Sequence, residues 1–322
     1  MSVYSLFKVS LLIIGVFSNV IYIGLLYTMK KYAYKAPFNS SFFQFAFQLG
    51  ILDLIHLDVE WLLYRLPLFG WFGMDKVVMT SPRLFGTLMT FVGWVTALAQ
   101  IAGVLILAIN RISVIGFNIA WSKRMVRLSL VVVWLIPAVA CLPIVFFAKA
   151  SYKNNTNGVG VRPFWLNRAT QMTYYTACIY WCVAAAVASG LLYLVTYKKV
   201  KEQAREARLS GSGQPNKPEL KLAIVGVILF VLTCCYASYC FILSVVTVTP
   251  LVAQLASVYQ LVHSDVYSWI NPYLLMLCSG TARKHFLAVM KGQPEPEAST
   301  LVASNTVEPV KAPNQKLHVE EL

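Results

Sequence analysis

Ionisable side chains inside long apolar runs are the residues of this chain that could do chemistry. Asp53 lies in the middle of the second run, and His56 and Glu60 follow it on the same helical face. Asp265 lies in the middle of the seventh run. A charged group in hydrocarbon is costly and usually has a partner or a function. For Asp53 and Asp265 the sequence leaves open a structural polar network and a conformational switch. For His56 and Glu60 it favours hydrogen bonds between helices.

The third run carries a polar stripe made of Thr96, Gln100 and Arg111. The eleven residues from Gln100 to Arg111 return the chain to nearly the same helical face, about 16 Å further along the axis. This spacing predicts a polar stripe that faces protein or trapped water and ends in a cation, Arg111. We expect Arg111 to have a function beyond placing its charge at the membrane–water interface. In the seventh run, Pro272 predicts a kink, and we expect Asn271 to bond the backbone groups that the proline frees.

The same residue types do not form a pattern typical of an enzyme. His263, Ser264, Asp265 and Ser268 are the types found in hydrolases, but their spacing scatters them around a helix, and no nucleophile elbow is present. No set of residues has the spacing of metal ligands. The sequence therefore predicts neither catalysis, nor a metal site, nor a cofactor.

Seven long apolar runs hold these residues. They lie near 5–29, 40–63, 84–109, 128–148, 171–196, 222–248 and 252–278, and each can cross a bilayer as a helix of about 20 residues. The chain is 58% hydrophobic and 12% charged, whereas soluble domains are about 25% charged. Continuous runs exclude a barrel of alternating strands. We predict an all-α membrane protein, with a seven-transmembrane helix bundle over 1–291 and a disordered cytoplasmic tail over 292–322.

The net charge of +14 is best explained by topology. With the N-terminus outside, 17 basic residues fall on the inner side and 8 on the outer side, Arg65 among the latter. An excess of Lys and Arg marks the cytoplasmic side. We therefore predict an outer N-terminus, a cytoplasmic C-terminus and contact with anionic lipid, not with nucleic acid. The sequon at Asn154 is then outside and available for glycosylation, whereas the sequon at Asn39 is inside and stays bare. All seven cysteines fall in predicted spans, so no disulfide between loops is expected.

An ordered set of residues resembles the rhodopsin-like seven-helix receptors over roughly residues 5–290. The set comprises Asn19, Asp53, Asn110-Arg111-Ile112, Trp134, Pro143 and Asn271-Pro272. More narrowly, the chain resembles the nematode serpentine chemoreceptors of the class gamma superfamily. That resemblance rests on three motifs: an Asn-Arg pair where Asp-Arg is usual, the pair Ser264-Asp265, and the run from Ile270 to Leu275.

This resemblance implies a G-protein-coupled chemosensory receptor in the plasma membrane, for example that of a sensory cilium. Its partners would be membrane lipid, a small extracellular ligand in the outer half of the bundle and a heterotrimeric G protein at Asn110 and Arg111. Candidate ligand-binding residues are Thr96, Gln100, Tyr174, Tyr239, Tyr259 and His263, with packing as the alternative for the tyrosines. Tyr259 and His263 are four residues apart and share a helical face. Candidate switch residues are Asn19, Asp53, Asp265, Asn271 and Pro272.

The chain departs from the rhodopsin-like pattern in several places. The paired cysteines of the third span and the second outer loop are absent, and Leu275 stands where a tyrosine is usual. Asn110 is neutral, so it cannot form the resting ion pair with Arg111. A small-molecule membrane transporter is the alternative function. Transporters often have internal repeats and interrupted helices, and the sequence shows neither.

Overall fold

Seven long helices pack side by side in a computed structural model of the protein. The structure describes residues 3–117, 119–148, 150–155, 159–209, 217–245 and 250–294. We call the long helices the first to seventh spans. They are Val3–Lys31, Ser41–Glu60, Pro82–Arg111, Lys123–Pro143, Arg168–Leu209, Lys217–Val245 and Pro250–Cys278. The predicted seven-helix bundle is confirmed.

The lateral surface of the bundle, around the sides of the helices, is largely apolar. By length and composition, six of the described helices could cross a membrane, and the seventh span adds a further 29 residues. On the fourth span, Leu128, Leu135 and Val139 are each more than half exposed. Exposed leucine and valine on a long helix are stable against lipid tails, which are as apolar as leucine itself.

The third span is the central helix of the bundle. It packs against the second, fourth, fifth and sixth spans, and the seventh span packs against the first, second and sixth. The main core is formed by buried apolar side chains from several spans, among them Tyr22, Leu49, Leu107, Leu229 and Leu274. This arrangement explains why the polar stripe of the third span is buried.

The second span does not end at residue 63. A π-helical turn, Trp61–Arg65, and a short helix, Leu66–Phe69, continue it. In this turn the Leu66 N–H donates to the carbonyl of Trp61, five residues back. Arg65, which the sequence places among the basic residues of the outer side, has its side chain fully buried inside the bundle. A short 3₁₀ turn, Trp71–Gly73, and a helix, Met74–Thr80, lead on to the third span.

A β-hairpin lies across one end of the bundle, and the sequence did not predict it. Strands β1, Ala150–Asn154, and β2, Val161–Trp165, pair antiparallel, with Ala150 opposite Trp165. Strand β1 packs against the third span, where a side chain at Gly86 would collide with the backbone of Ser151. We call this the hairpin end. The opposite end, where the third span finishes at Arg111, is the Arg111 end.

Two further π-helical turns follow the third and fourth spans, at Ile112–Gly116 and Ile144–Ala148. After the seventh span a short helix, Gly280–Met290, begins at Ser279, whose hydroxyl accepts from the Ala282 N–H at 3.2 Å. This is a typical N-cap. Most of the predicted tail, 295–322, lies outside the described residues.

Candidate functional site

A cavity of about 530 Å³ opens at the hairpin end of the bundle. The second, third, fifth, sixth and seventh spans line it, together with the hairpin. Four of the six candidate ligand-binding residues are on its wall: Gln100, Tyr239, Tyr259 and His263. Pockets of a few hundred Å³ with mostly apolar walls and a few polar groups are typical of small-molecule sites.

The other two candidates, Thr96 and Tyr174, lie behind the wall. Thr96 is buried and shares a hydrogen bond of 2.8 Å with the Nδ1 of His56. The Tyr174 ring packs beside Trp94 and Trp165, with centroids 5.9 and 5.7 Å away. Both residues therefore support groups that reach the cavity.

An aromatic wall forms one side of the cavity. We give this name to Tyr236, Tyr239, Tyr259 and His263, which all line the cavity. The Tyr239 and Tyr259 rings stack with centroids 5.0 Å apart, and His263 stacks on both Tyr259 and Tyr236 at 5.4 Å. The expectation that Tyr259 and His263 share a helical face is thus met. The His263 Nε2 also lies 3.1 Å from the carbonyl of Leu232, which fixes the ring.

His56 and Glu60 also line the cavity. The sequence favoured hydrogen bonds between helices for both. His56 does bridge helices, since its Nδ1 contacts Thr96 at 2.8 Å and its Nε2 contacts Ser264 at 3.3 Å. Glu60 differs: it is 5% exposed, and its Oε2 has no hydrogen-bond partner among the described residues. Their spacing from Asp53 placed them on one face, but the sequence did not indicate that this face opens on a cavity.

Arg65 and Asp265 form an ion pair inside the bundle. The Arg65 Nη1 donates to the Asp265 Oδ2 at 2.7 Å, and its Nη2 donates to the carbonyl of Leu261 at 3.0 Å. The two side chains are 0% and 1% exposed. Charges this deeply buried are stable only when they are paired and hydrogen-bonded. Asp265 therefore belongs to a buried polar contact between the seventh span and the end of the second.

Asp53 is the centre of a second polar cluster, which we call the Asp53 node. Its carboxylate accepts hydrogen bonds from the hydroxyl of Tyr22, the amide of Gln100 at 2.6 Å and the amide of Asn271 at 2.7 Å. The node joins the first, second, third and seventh spans. Gln100 also lines the cavity, so the node reaches the cavity floor.

The predicted contact of one switch candidate, Asn271, differs in the structure. The Asn271 amide donates to Asp53 at 2.7 Å, although the sequence predicted a bond to the backbone freed by Pro272. Asn19 donates to Asp58 at 3.3 Å and is not among the donors to Asp53. The node is therefore smaller than the set of switch candidates.

At the Arg111 end, Asn110 and Arg111 turn to the start of the second span. The Asn110 amide donates to the Ser41 hydroxyl at 2.8 Å. The Arg111 guanidinium lies 3.7 Å from the centre of the Phe42 ring, in cation–π geometry, and the residue is 6% exposed. The Arg111 guanidinium thus packs on an aromatic ring of the second span.

The seventh-span residues of hydrolase type have separate partners. His263 contacts Leu232, Ser264 contacts His56, and Asp265 contacts Arg65. The structure therefore brings no catalytic triad together from them. Among the described residues, no three His, Cys, Asp or Glu side chains are grouped so that they could hold a metal ion.

Comparisons with known proteins agree with this architecture. A family model described as "serpentine type 7TM GPCR chemoreceptor Srv" matches residues 11–292. Among solved structures, the crystal structure of squid rhodopsin is similar, with a TM-score of 0.65 and 14% sequence identity over 94% of this chain and 93% of that chain. At that identity the likeness is one of fold alone. A search of curated proteins finds no match.

Proposed function

Because the chain belongs to the serpentine 7TM GPCR chemoreceptor family Srv, we propose that it binds a small extracellular molecule in the hairpin-end cavity. The receptor with its ligand bound then activates a heterotrimeric G protein, which binds at the Arg111 end. The receptor lies in the plasma membrane with its N-terminus and hairpin outside.

The cavity is the observation that carries this proposal. Its volume of about 530 Å³ suits a small organic molecule. The aromatic wall supplies contact area, and Gln100, His56 and Ser264 supply polar groups that can orient a ligand. Side chains from five spans line the cavity as a whole, so a ligand there touches most of the bundle.

A physical connection leads from the cavity toward the middle of the bundle. Gln100 lines the cavity and donates both to Asp53 at 2.6 Å and to Ser268 at 3.3 Å. A ligand that binds Gln100 competes for the donor that Asp53 accepts. Since the Asp53 node joins four spans, a changed bond there favours a different packing of those spans. A ligand shifts such an equilibrium by its difference in affinity for the two packings.

The Arg111 end supports the second half of the proposal. Asn110 and Arg111 are the residues that the family resemblance assigns to the G protein. In this structure the guanidinium is held over Phe42 and is nearly buried. We interpret this arrangement as the resting state, in which Arg111 is withheld from a partner.

The experiment measures second messengers in cells that express the full chain, during exposure to a panel of volatile and water-soluble metabolites. We expect at least one compound to change cAMP, cGMP or calcium without net uptake of that compound. Arg111→Ala should keep surface expression and lose the response, while Arg124→Ala, an exposed arginine on the fourth span, should keep both. Uptake of the compound without a messenger signal would favour a transporter, and an intact response in Arg111→Ala would refute the assigned role.

A further inference from the structure

Glu60 is a buried acid on the wall of the hairpin-end cavity. It is 5% exposed, it lines the cavity, and its Oε2 has no hydrogen-bond donor among the described residues. No ion pair of Glu60 occurs in the described part of the chain. A buried carboxylate without a partner is unfavourable, so a group from outside the chain that pairs with it would gain a large interaction.

The nearby basic groups already have partners. Arg65 is paired with Asp265 at 2.7 Å and bonded to the carbonyl of Leu261 at 3.0 Å. His56 uses one ring nitrogen on Thr96 and the other on Ser264. Arg65 and Asp265 balance each other in charge. Ionised Glu60 therefore leaves one negative charge buried in the cavity wall.

The aromatic wall adds a second feature that suits a cation. Tyr236, Tyr239 and Tyr259 line the same cavity as Glu60, and tyrosine rings attract ammonium groups through their faces. The Tyr259 hydroxyl is buried and has no hydrogen-bond partner among the described residues. Its oxygen can accept a hydrogen bond from an ammonium N–H.

We propose that the cavity takes an organic cation, a protonated amine or a quaternary ammonium compound with an apolar body, whose charged group lies against Glu60 among the tyrosines. This inference rests on the proposed receptor function and names the chemical class of its ligand. The carboxylate selects ligands with a positively charged group. The stacked rings favour a ligand whose body is aromatic or aliphatic over one that is strongly polar.

Three basic residues at the rim of the cavity do not reverse this preference. Lys153, Arg162 and Arg168 line the cavity, but all three are exposed to solvent. At physiological ionic strength, the interactions of exposed charges decay over a screening length of about 8 Å, whereas those of a buried charge are screened much less. The buried carboxylate therefore decides the charge of the bound group.

The test measures thermal stabilisation of the purified full-length receptor by sets of probes that share a carbon skeleton. One set is phenethylamine, phenethyl alcohol and phenylacetate, a second is tryptamine, tryptophol and indoleacetate, and benzyltrimethylammonium represents quaternary cations. We expect the cations to raise the unfolding temperature and the matched alcohols and carboxylates to have little effect. In Glu60→Gln the affinity for the cations should fall by roughly 30-fold or more, because the buried charge pair is lost.

Glu202→Gln is the matched control, since Glu202 is an exposed acid on the fifth span, paired with Lys199 far from the cavity. Glu60→Asp keeps the charge and covers the case in which Glu60→Gln does not fold; it should bind more weakly yet still prefer cations. Equal stabilisation by alcohols or carboxylates, no stabilisation by any cation, or unchanged cation binding in Glu60→Gln would overturn the proposal. A neutral or anionic compound that triggers the G protein would refute only the ligand class, whereas a cation that binds without any messenger response would refute only the receptor function.

Discussion

At the residue scale, pairs of buried polar groups determine how this bundle is held together. The Arg65–Asp265 pair joins the second span to the seventh, and the Asp53 node joins four spans. Each group alone would be costly in an apolar bundle, because an unpaired buried charge loses its hydration. The pairs therefore specify which helices lie side by side.

The ion pair gives a prediction about stability. Asp265→Asn leaves the fully buried Arg65 without its anion, so we expect it to lower the free energy of unfolding by about 3–5 kcal/mol. The double variant Arg65→Met, Asp265→Leu removes both charges and should recover most of that loss. Thermal unfolding of the purified variants in one detergent measures both effects. A double variant that is no more stable than Asp265→Asn would contradict this account.

At the scale of elements, the spans depart from regular α-helical geometry mainly at their ends. The π-helical turn at Trp61–Arg65 changes the direction of the second span's last residues, and the hairpin closes over them. The Tyr152 hydroxyl donates to the carbonyl of Leu63, and the Asn155 amide donates to the carbonyl of Leu68 at 3.3 Å. The hairpin is thus bound to the end of the second span, beside the cavity that it lines.

This docking depends on a glycine. Gly160 has a φ of +68°, and a side chain there would collide with the carbonyl oxygens of Pro67 and Leu68. Gly73 has a similar φ of +69° but no atom within 4 Å of the added carbon, so Gly73→Ala is the matched control. Both variants take on the strain of left-handed backbone, about 1–2 kcal/mol. We expect the unfolding temperature to fall further in Gly160→Ala than in Gly73→Ala. An equal decrease in the two variants would show that the structure around residue 160 moves enough to avoid the collision.

The cation–π contact at the Arg111 end gives a prediction about signalling. Phe42→Leu removes the ring beneath the guanidinium, which lies 3.7 Å from its centre. A desolvated contact of this kind contributes about 1–2 kcal/mol, so its loss should shift the resting equilibrium roughly 5- to 30-fold toward the active packing. Ligand-free messenger levels, normalised to surface expression, measure the shift.

Phe45→Leu is the control for that experiment. Phe45 is buried in the same span, and its ring packs on Trp121 with centroids 5.3 Å apart. It should change the stability but not the ligand-free signal. If both variants raise the signal equally, general loosening of the second span, not release of Arg111, is the cause.

At the scale of the whole molecule, the two ends of the bundle differ in chemistry. The cavity and hairpin are at one end, and the Arg111 end holds exposed basic residues such as Lys123, Arg124 and Lys199. Between them the spans expose leucine and valine to lipid. The two sequons, one at each end, allow the orientation of the bundle to be tested.

Asn154 is exposed at the end of β1, and Asn39 is exposed at the other end of the bundle, before the second span. With the hairpin outside, we expect a glycan on Asn154 and none on Asn39. Asn154→Gln should therefore abolish the gel shift that enzymatic deglycosylation causes in the wild-type protein, and Asn39→Gln should leave it unchanged. A shift that depends on Asn39 would reverse the proposed orientation.

The sequence by itself determined the class of this protein. Seven runs of apolar residues predict seven helices because a spanning backbone must bond to itself, and the ordered motifs predicted a serpentine chemoreceptor, which the family match confirms. Periodicity also placed Tyr259 and His263 on one face, and both line the cavity. These features are local, so spacing along the chain suffices to predict them.

Only the tertiary structure decided which polar groups meet. In a regular α-helix Arg65 would lie about 140° around the axis from Glu60, but the π-helical turn alters that angle and brings Arg65 to Asp265, 200 residues away. Nothing in the local pattern predicted the turn or the hairpin. The chemistry of the cavity, with Glu60 on its wall and Arg65 paired elsewhere, follows from packing between distant segments.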